Sequence, residues 1–208
     1  MPAFDCCNLV VRAGDIAYTF EASGDLAAFR LKLWIGTCKG GPQIIRSGLK
    51  FVASHALPRA HWASPADAIV ERIEVAGRWT EWVSAPGCNP NRQVLYLHGG
   101  GYVIGSPHSH RNLAYNVAKA IDGRCLVIDY RMAPEDPFPA AVEDAVAAWQ
   151  WMLEQGGNPA RMAIMGDSAG GGLTVAVQVA LRDRGIRMPA CSVPISPWVD
   201  LEGIGETI

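Results

Sequence analysis

Charge of one sign is what the sequence has least of: 18 lysines and arginines stand against 20 aspartates and glutamates, a net charge of −2 at pH 7. That balance excludes the cationic footprint of a nucleic-acid binder or of a protein drawn to an anionic membrane surface. No run of 18 apolar residues occurs, which excludes a membrane-spanning helix. No basic segment followed by an apolar one opens the chain, so no secretory signal is expected, and a reducing cytoplasm is the expected compartment. The six cysteines (Cys6, Cys7, Cys38, Cys88, Cys125 and Cys191) show no C-x-x-C spacing and have no histidine partner nearby. No metal is therefore expected, and Cys125 and Cys191, in apolar strand-like runs, read as buried thiols. Internal repeats and low-complexity tracts are missing too. Histidine is scarce: His55, His61, His98, His108 and His110 are all there are, and none lies in the 40 residues after Ser168.

Half of the 208 residues are apolar, enough for one domain with a sizeable core. The stretch that organises the rest is Gly166-Asp167-Ser168-Ala169-Gly170-Gly171. An apolar run, Met162 to Met165, precedes it, and another, Leu173 to Leu181, follows. Strand, tight glycine turn and helix make a G-x-S-x-G into a nucleophile elbow rather than an incidental glycine-rich turn. Such a turn would lift the Ser168 hydroxyl clear of the sheet at a helix N-terminus, where backbone amides favour negative charge. Seventy residues upstream, His98-Gly99-Gly100-Gly101 follows the strand-like run Gln93 to Leu97. By itself that is a flexible loop. Paired with the downstream elbow it matches the oxyanion loop of lipases and esterases, whose N–H donors are each worth about 2.7–4 kcal/mol at the transition state.

Four segments together carry a resemblance: His98 to Gly101, Tyr130 to Glu135 (YRMAPE), Gly166 to Gly171, and Ser196 to Leu201 (SPWVDL). Over residues 70 to 206 the chain resembles the hormone-sensitive-lipase family of α/β-hydrolases. The resemblance implies an α/β-hydrolase fold, a mostly parallel sheet with helices on both faces, and ester hydrolysis without a cofactor. It makes Ser168 the nucleophile and assigns the oxyanion hole to the amides of Gly99, Gly100 and Ala169. His98 would orient the loop, because the base of this fold follows the nucleophile in sequence. Tyr102, the Pro107–His110 segment and Trp198 would line a pocket for a small ester with a short-to-medium acyl chain. Asp167 receives no chemistry beyond a local hydrogen bond. His108 and His110, two histidines without a third ligand, read as loop residues. In YRMAPE, Arg131 and Glu135 suit a local ion pair.

Along the chain, residues 1 to 66 are the least legible, either cap-forming or poorly ordered. Asp25 to Ile35 has spacing that allows an amphipathic helix. From residue 67 a partial hydrolase domain is expected. Val70–Val75 and Trp79–Val83 read as a hairpin across Ala76-Gly77, and Arg111–Ile121, Ala140–Leu153 and Gly172–Arg184 as helices. Cys125–Ile128 and Ala190–Ile195 read as strands buried on both faces, and Gly185 is placed to end the last helix.

The resemblance also exposes a gap. The family's order is Ser, then an acid, then His. Downstream acids here are Asp183, Asp200, Glu202 and Glu206, with no histidine. The expectation is a truncated product without the last strands, the catalytic acid and the base. Its sheet would then present an apolar edge open to self-association. The alternatives are a non-catalytic small-molecule-binding module, as in plant hormone receptors related to this family, and an inactive fragment.

Overall fold

A computed structural model of the protein describes residues 64–200 and three strands nearer the amino terminus. The chain divides into two compact units, Met1–Ala53 and Ser54–Ile208. In the first, β1 (Leu9–Ala13), β2 (Ile16–Glu21) and β3 (Arg30–Lys32) form an antiparallel sheet in that order. Where the spacing over Asp25–Ile35 allowed an amphipathic helix, residues 30–32 instead form a strand that pairs Leu31 with Phe20. Cross-strand pairing decided between two patterns that the mixed spacing allowed. His55, His61, Cys6, Cys7 and Cys38 lie outside the described residues.

The second unit is built on six strands. A hairpin joins β4 (Ile69–Val75) to β5 (Arg78–Ser84). Ala76 and Gly77 take φ of 50° and 75°, the two positive values of a type I′ turn, which fits strand twist. There follow β6 (Gln93–Leu97), α1 (Pro107–Ala120), β7 (Arg124–Ile128), α2 (Ala140–Glu154), β8 (Met162–Asp167), α3 (Ala169–Asp183) and β9 (Cys191–Ile195). Sheet order is β4-β5-β7-β6-β8-β9, with β7, β6, β8 and β9 parallel and the hairpin joined antiparallel at β5–β7. This is the mostly parallel sheet of an α/β fold, covered by helices on both faces.

Strand alternation assigns the two faces. Leu95 and Leu97 of β6 face one way with Leu126, Ile128 and Ile164, packed on Trp149 and Met152 of α2 and Leu173 and Val177 of α3. Val94 and Tyr96 face the other way, against Ala114, Tyr115 and Ala118 of α1. β6 is therefore buried throughout, and its carboxyl end delivers the His98 loop beside the carboxyl end of β8.

Two elements depart from the sequence expectation. α1 begins at Pro107, not Arg111, so His108 and His110 are helical, not loop residues. Ser106 caps it by accepting from the Ser109 N–H while the Ser109 hydroxyl faces the Ser106 N–H, with proline at the first helical position. Among the described residues β9 has one strand neighbour, β8, and is not buried on both faces: Val193 is 42 % exposed, and Cys191 is exposed rather than a buried thiol. Cys125, on central β7, is fully buried.

Candidate active site

Ser168 links β8 directly to α3 and is exposed at the tip of the turn. Its backbone lies at φ 53°, ψ −118°, a region L-residues rarely occupy and an elbow of this kind requires. Three backbone hydrogen bonds hold it there. The Ser168 N–H donates to Ile195 O (2.9 Å), while the Ser168 carbonyl accepts from Gly172 N (3.1 Å) and Trp198 N (2.9 Å). The SPW segment after β9 thus braces the elbow from outside. Glycine is needed where α3 meets the end of β6: a Cβ at Gly170 would fall 2.6 Å from the His98 carbonyl oxygen and closer still to that of Leu97. Ser168 leaves the first amides of α3 unblocked by its own side chain, which makes no capping hydrogen bond.

Facing this serine, the glycine loop turns sharply, with φ of 126° at Gly100, 64° at Gly101 and 61° at Tyr102. Val103 and Ile104 N–H groups both donate to Gly100 O, closing the turn. Here the geometry corrects one assignment. The Gly99 N–H donates to Asp167 Oδ1 at 3.1 Å, so it is committed to the neighbouring strand end. The Gly100, Gly101 and Ala169 amides have no backbone acceptor among the described residues.

His98 is completely buried and stacks on Tyr130, ring centroids 4.3 Å apart at 15°. Burial pushes its pKa down to about 4, so the ring is neutral. Its Nδ1 lies 2.9 Å from Gly99 O. A carbonyl only accepts, so Nδ1 carries the proton and Nε2, buried without a partner, is bare. The loop is further held by the Tyr130 hydroxyl, which donates to His98 O (2.5 Å). Tyr130 belongs to YRMAPE, whose Arg131 donates to Asp144 of α2 through its backbone N–H (2.8 Å) and its guanidinium (2.7–3.0 Å). The sequence motif read as structural is therefore the link that ties the glycine loop to α2. Asp144 was not visible as the partner in the sequence, because it lies 13 positions away on a helix.

The neutral state of His98 has a measurable consequence. The unfolded chain takes up a proton at the ordinary histidine pKa of 6.5, while the folded loop resists it down to about 4. Between those values the unfolded state holds more protons, so stability rises with pH. Lowering pH from 7 to 4.5 should remove about 2–3 kcal/mol through this group alone. Urea midpoints at the two pH values check it: His98→Gln should shrink the acid loss by that amount, whereas an unchanged loss would place the titration elsewhere.

On α1, Arg111 donates from Nε and Nη2 to the buried Glu81 (both 2.6 Å), and Arg72 adds a third contact at 3.2 Å. Burial alone would raise the Glu81 pKa, but the two guanidinium groups outweigh it and hold it below the usual range. This pins α1 on β5. His110 then sits with Nδ1 2.9 Å from the Ser109 hydroxyl and Nε2 3.6 Å from Asp167 Oδ1.

Tyr102 and Trp198 approach within 6.3 Å, centroid to centroid, and line a mainly apolar cavity of about 450 Å³ with Phe138, Val142, Val175 and Val199. Ser168 is not among the lining residues; the cavity lies on the α2–α3 side of the elbow. No residue among those described hydrogen-bonds the Ser168 hydroxyl through its side chain, and no three metal-ligating side chains gather among them. None of the described helices is long and apolar enough to cross a membrane.

An exposed serine on a strained strand-to-helix turn, a glycine loop at the next strand end and a parallel sheet under both define a hydrolase scaffold. A family profile described as the alpha/beta hydrolase fold matches residues 94–207, and the chain belongs to that family, within its hormone-sensitive-lipase type. It is 54% identical over 129 residues to an acetyl-hydrolase of Streptomyces hygroscopicus, a match spanning 61% of this chain and 43% of the relative. It is 41% identical over 112 residues to an ethyl acetate hydrolase of Pseudomonas putida, spanning 51% of this chain and 35% of the relative. Among solved structures, an esterase from the bacterial hormone-sensitive lipase family superposes with TM-score 0.70 at 43% identity, covering 82% of this chain and 62% of that one. The matches thus span less than half the length of these curated relatives.

Proposed function

We propose that this chain carries the nucleophile and oxyanion half of a serine carboxylic-ester hydrolase acting on short-to-medium acyl esters. The observation that carries the reading is Ser168 itself, held at φ 53° at the start of α3 and facing the His98–Gly101 loop. Ser168 Oγ attacks the ester carbonyl, the alcohol leaves, and water resolves the acyl-enzyme. The oxyanion is received by the amides of Gly100, Gly101 and Ala169, in place of the Gly99 amide that Asp167 occupies. Tyr102 and Trp198, on the apolar cavity, suit an acyl or alcohol group. The relatives named for acetyl and ethyl acetate hydrolysis support a small acyl group.

A serine hydroxyl needs an oriented base, and the reading places that base and its acid in the part of the relatives' length that this chain does not span. The test supplies a base from solution. Wild-type protein is incubated with p-nitrophenyl acetate and imidazole, and intact mass followed by peptide mapping reads acetylation. An acetyl group on Ser168, accelerated by imidazole and missing from Ser168→Ala, is the expected result. Equal modification of the two proteins, or none at Ser168, overturns it. A second reading, a binding module that uses the apolar cavity without chemistry, is supported by the position of that cavity, whose lining does not include Ser168. In that case a short-chain ester would bind to wild type and Ser168→Ala alike, with no acyl transfer.

A further inference from the structure

The elbow motif contains a second polar side chain, Asp167, to which neither the family resemblance nor the reaction above gives a task. It is the last residue of β8 and the immediate neighbour of Ser168. One carboxylate oxygen, Oδ1, is the meeting point of three elements. It accepts from the Tyr96 hydroxyl of β6 at 2.8 Å and from the Gly99 N–H of the glycine loop at 3.1 Å, and His110 Nε2 of α1 stands 3.6 Å away. The fit is tight: a Cβ on Gly99 would lie 3.0 Å from the Asp167 carbonyl oxygen and nearer still to its carboxylate. The carboxylate stays ionised despite partial burial, because the His110 and Tyr96 contacts outweigh the desolvation that would raise its pKa.

From this arrangement we infer that Asp167 is a positioning residue, which fixes the oxyanion loop against Ser168 by holding the Gly99 N–H. The inference rests on Ser168 being the nucleophile. Its logic is geometric. Gly99 is the pivot between β6 and the turn at Gly100–Gly101, so fixing its amide plane fixes the direction of the next two N–H groups. The clamp and the nucleophile are adjacent residues of one strand end, so the distance between donors and Ser168 Oγ is set over the shortest possible path. Engaging the first amide also removes it from competition, leaving two successive loop amides for one oxyanion. Tyr96 and His110 hold the carboxylate from the sheet and from α1 in turn. Displacements of about 1 Å in such a site can cost about 10²-fold in rate, which makes a dedicated clamp worthwhile.

Phenylboronic acid reads the geometry without needing a general base. Ser168 oxygen adds to the trigonal boron, its proton passes to buffer, and the boron keeps its three substituents as a tetrahedral anion whose oxygen occupies the oxyanion position. Its affinity and its ¹¹B signal are measured for wild type, Ser168→Ala, Asp167→Ala and Asp167→Asn. Asparagine retains an oxygen that can accept from Gly99, so Asp167→Asn should bind within about threefold of wild type, whereas Asp167→Ala should bind about tenfold to a hundredfold more weakly. Circular dichroism confirms folding, and should Asp167→Ala not fold, Tyr96→Phe, which frees the carboxylate from one tether, must weaken the boronate by about threefold or more. Tetrahedral boronate in wild type and Asp167→Ala at equal affinity overturns the clamp while leaving the nucleophile in place. A wild-type signal that survives Ser168→Ala, or no tetrahedral signal at all, overturns the nucleophile reading and the clamp with it.

Discussion

Gly170→Ala is expected to cost the domain more than about 3 kcal/mol, beyond the usual range for a single added methyl in a core. The new Cβ would meet two backbone carbonyls, 2.6 Å from His98 O and closer to Leu97 O. Neither is a side-chain end that can swing aside. Both belong to the exit of β6, which is locked between β7 and β8 by parallel pairing. Relief would require α3 to back away from the sheet, opening the Leu173 and Val177 contacts with the core and moving the Ser168 turn at the same time. Gly171→Ala supplies the internal standard, since its Cβ would meet Pro197 Cα at 2.9 Å and Ile195 O at 3.0 Å, both further off than the two carbonyl oxygens at Gly170. Urea unfolding followed by circular dichroism should rank wild type above Gly171→Ala and that above Gly170→Ala. A mild Gly170→Ala would mean that α3 sits further from β6 than described here.

The second large effect belongs to Trp149→Ala, with a loss of about 3–5 kcal/mol. Trp149 is the largest fully buried side chain among the described residues and sits on α2 among Leu95, Leu126 and Ile164 of the central strands. Its indole N–H donates to Arg187 O at 2.9 Å, tying α2 to the segment between α3 and β9. Alanine would remove both the volume and the tie, and the rigid sheet on one side limits how far the cavity can collapse. Trp149→Phe separates the two contributions. It keeps most of the apolar contact and forgoes the hydrogen bond, so it should lose about 1–2 kcal/mol, counting the smaller ring. If the two variants unfold at the same urea concentration, the hydrogen bond rather than packing dominates at this position.

The sequence made the scaffold readable wherever the signal was local. β6, β7 and β8 are short apolar runs, the β4–β5 turn carries Ala-Gly, and the last helix ends where Gly185 adopts φ 64°. The true start of α1 was also encoded, in Ser106-Pro107-x-Ser109, but as a capping box with serine where glutamate or glutamine is the familiar partner. What no local pattern held was pairing at a distance. Asp144 with Arg131, Tyr130 with the His98 carbonyl, and Asp167 with Gly99 join residues 13, 32 and 68 positions apart. The sequence therefore identified Ser168 and the glycine loop as candidates, while which amide faces Asp167 depended on how two strand ends meet.

Ser168 adopts a backbone geometry in which glycine alone would be at ease. Non-glycine residues in such regions cost of order 1–3 kcal/mol, so this position is locally frustrated within an otherwise consistent elbow. Selection for thermostability alone would drive the codon toward glycine, and any stabilising library screened without a functional readout would erode the hydroxyl first. On the proposed reading, the serine is thus a place where the chain trades robustness for chemistry.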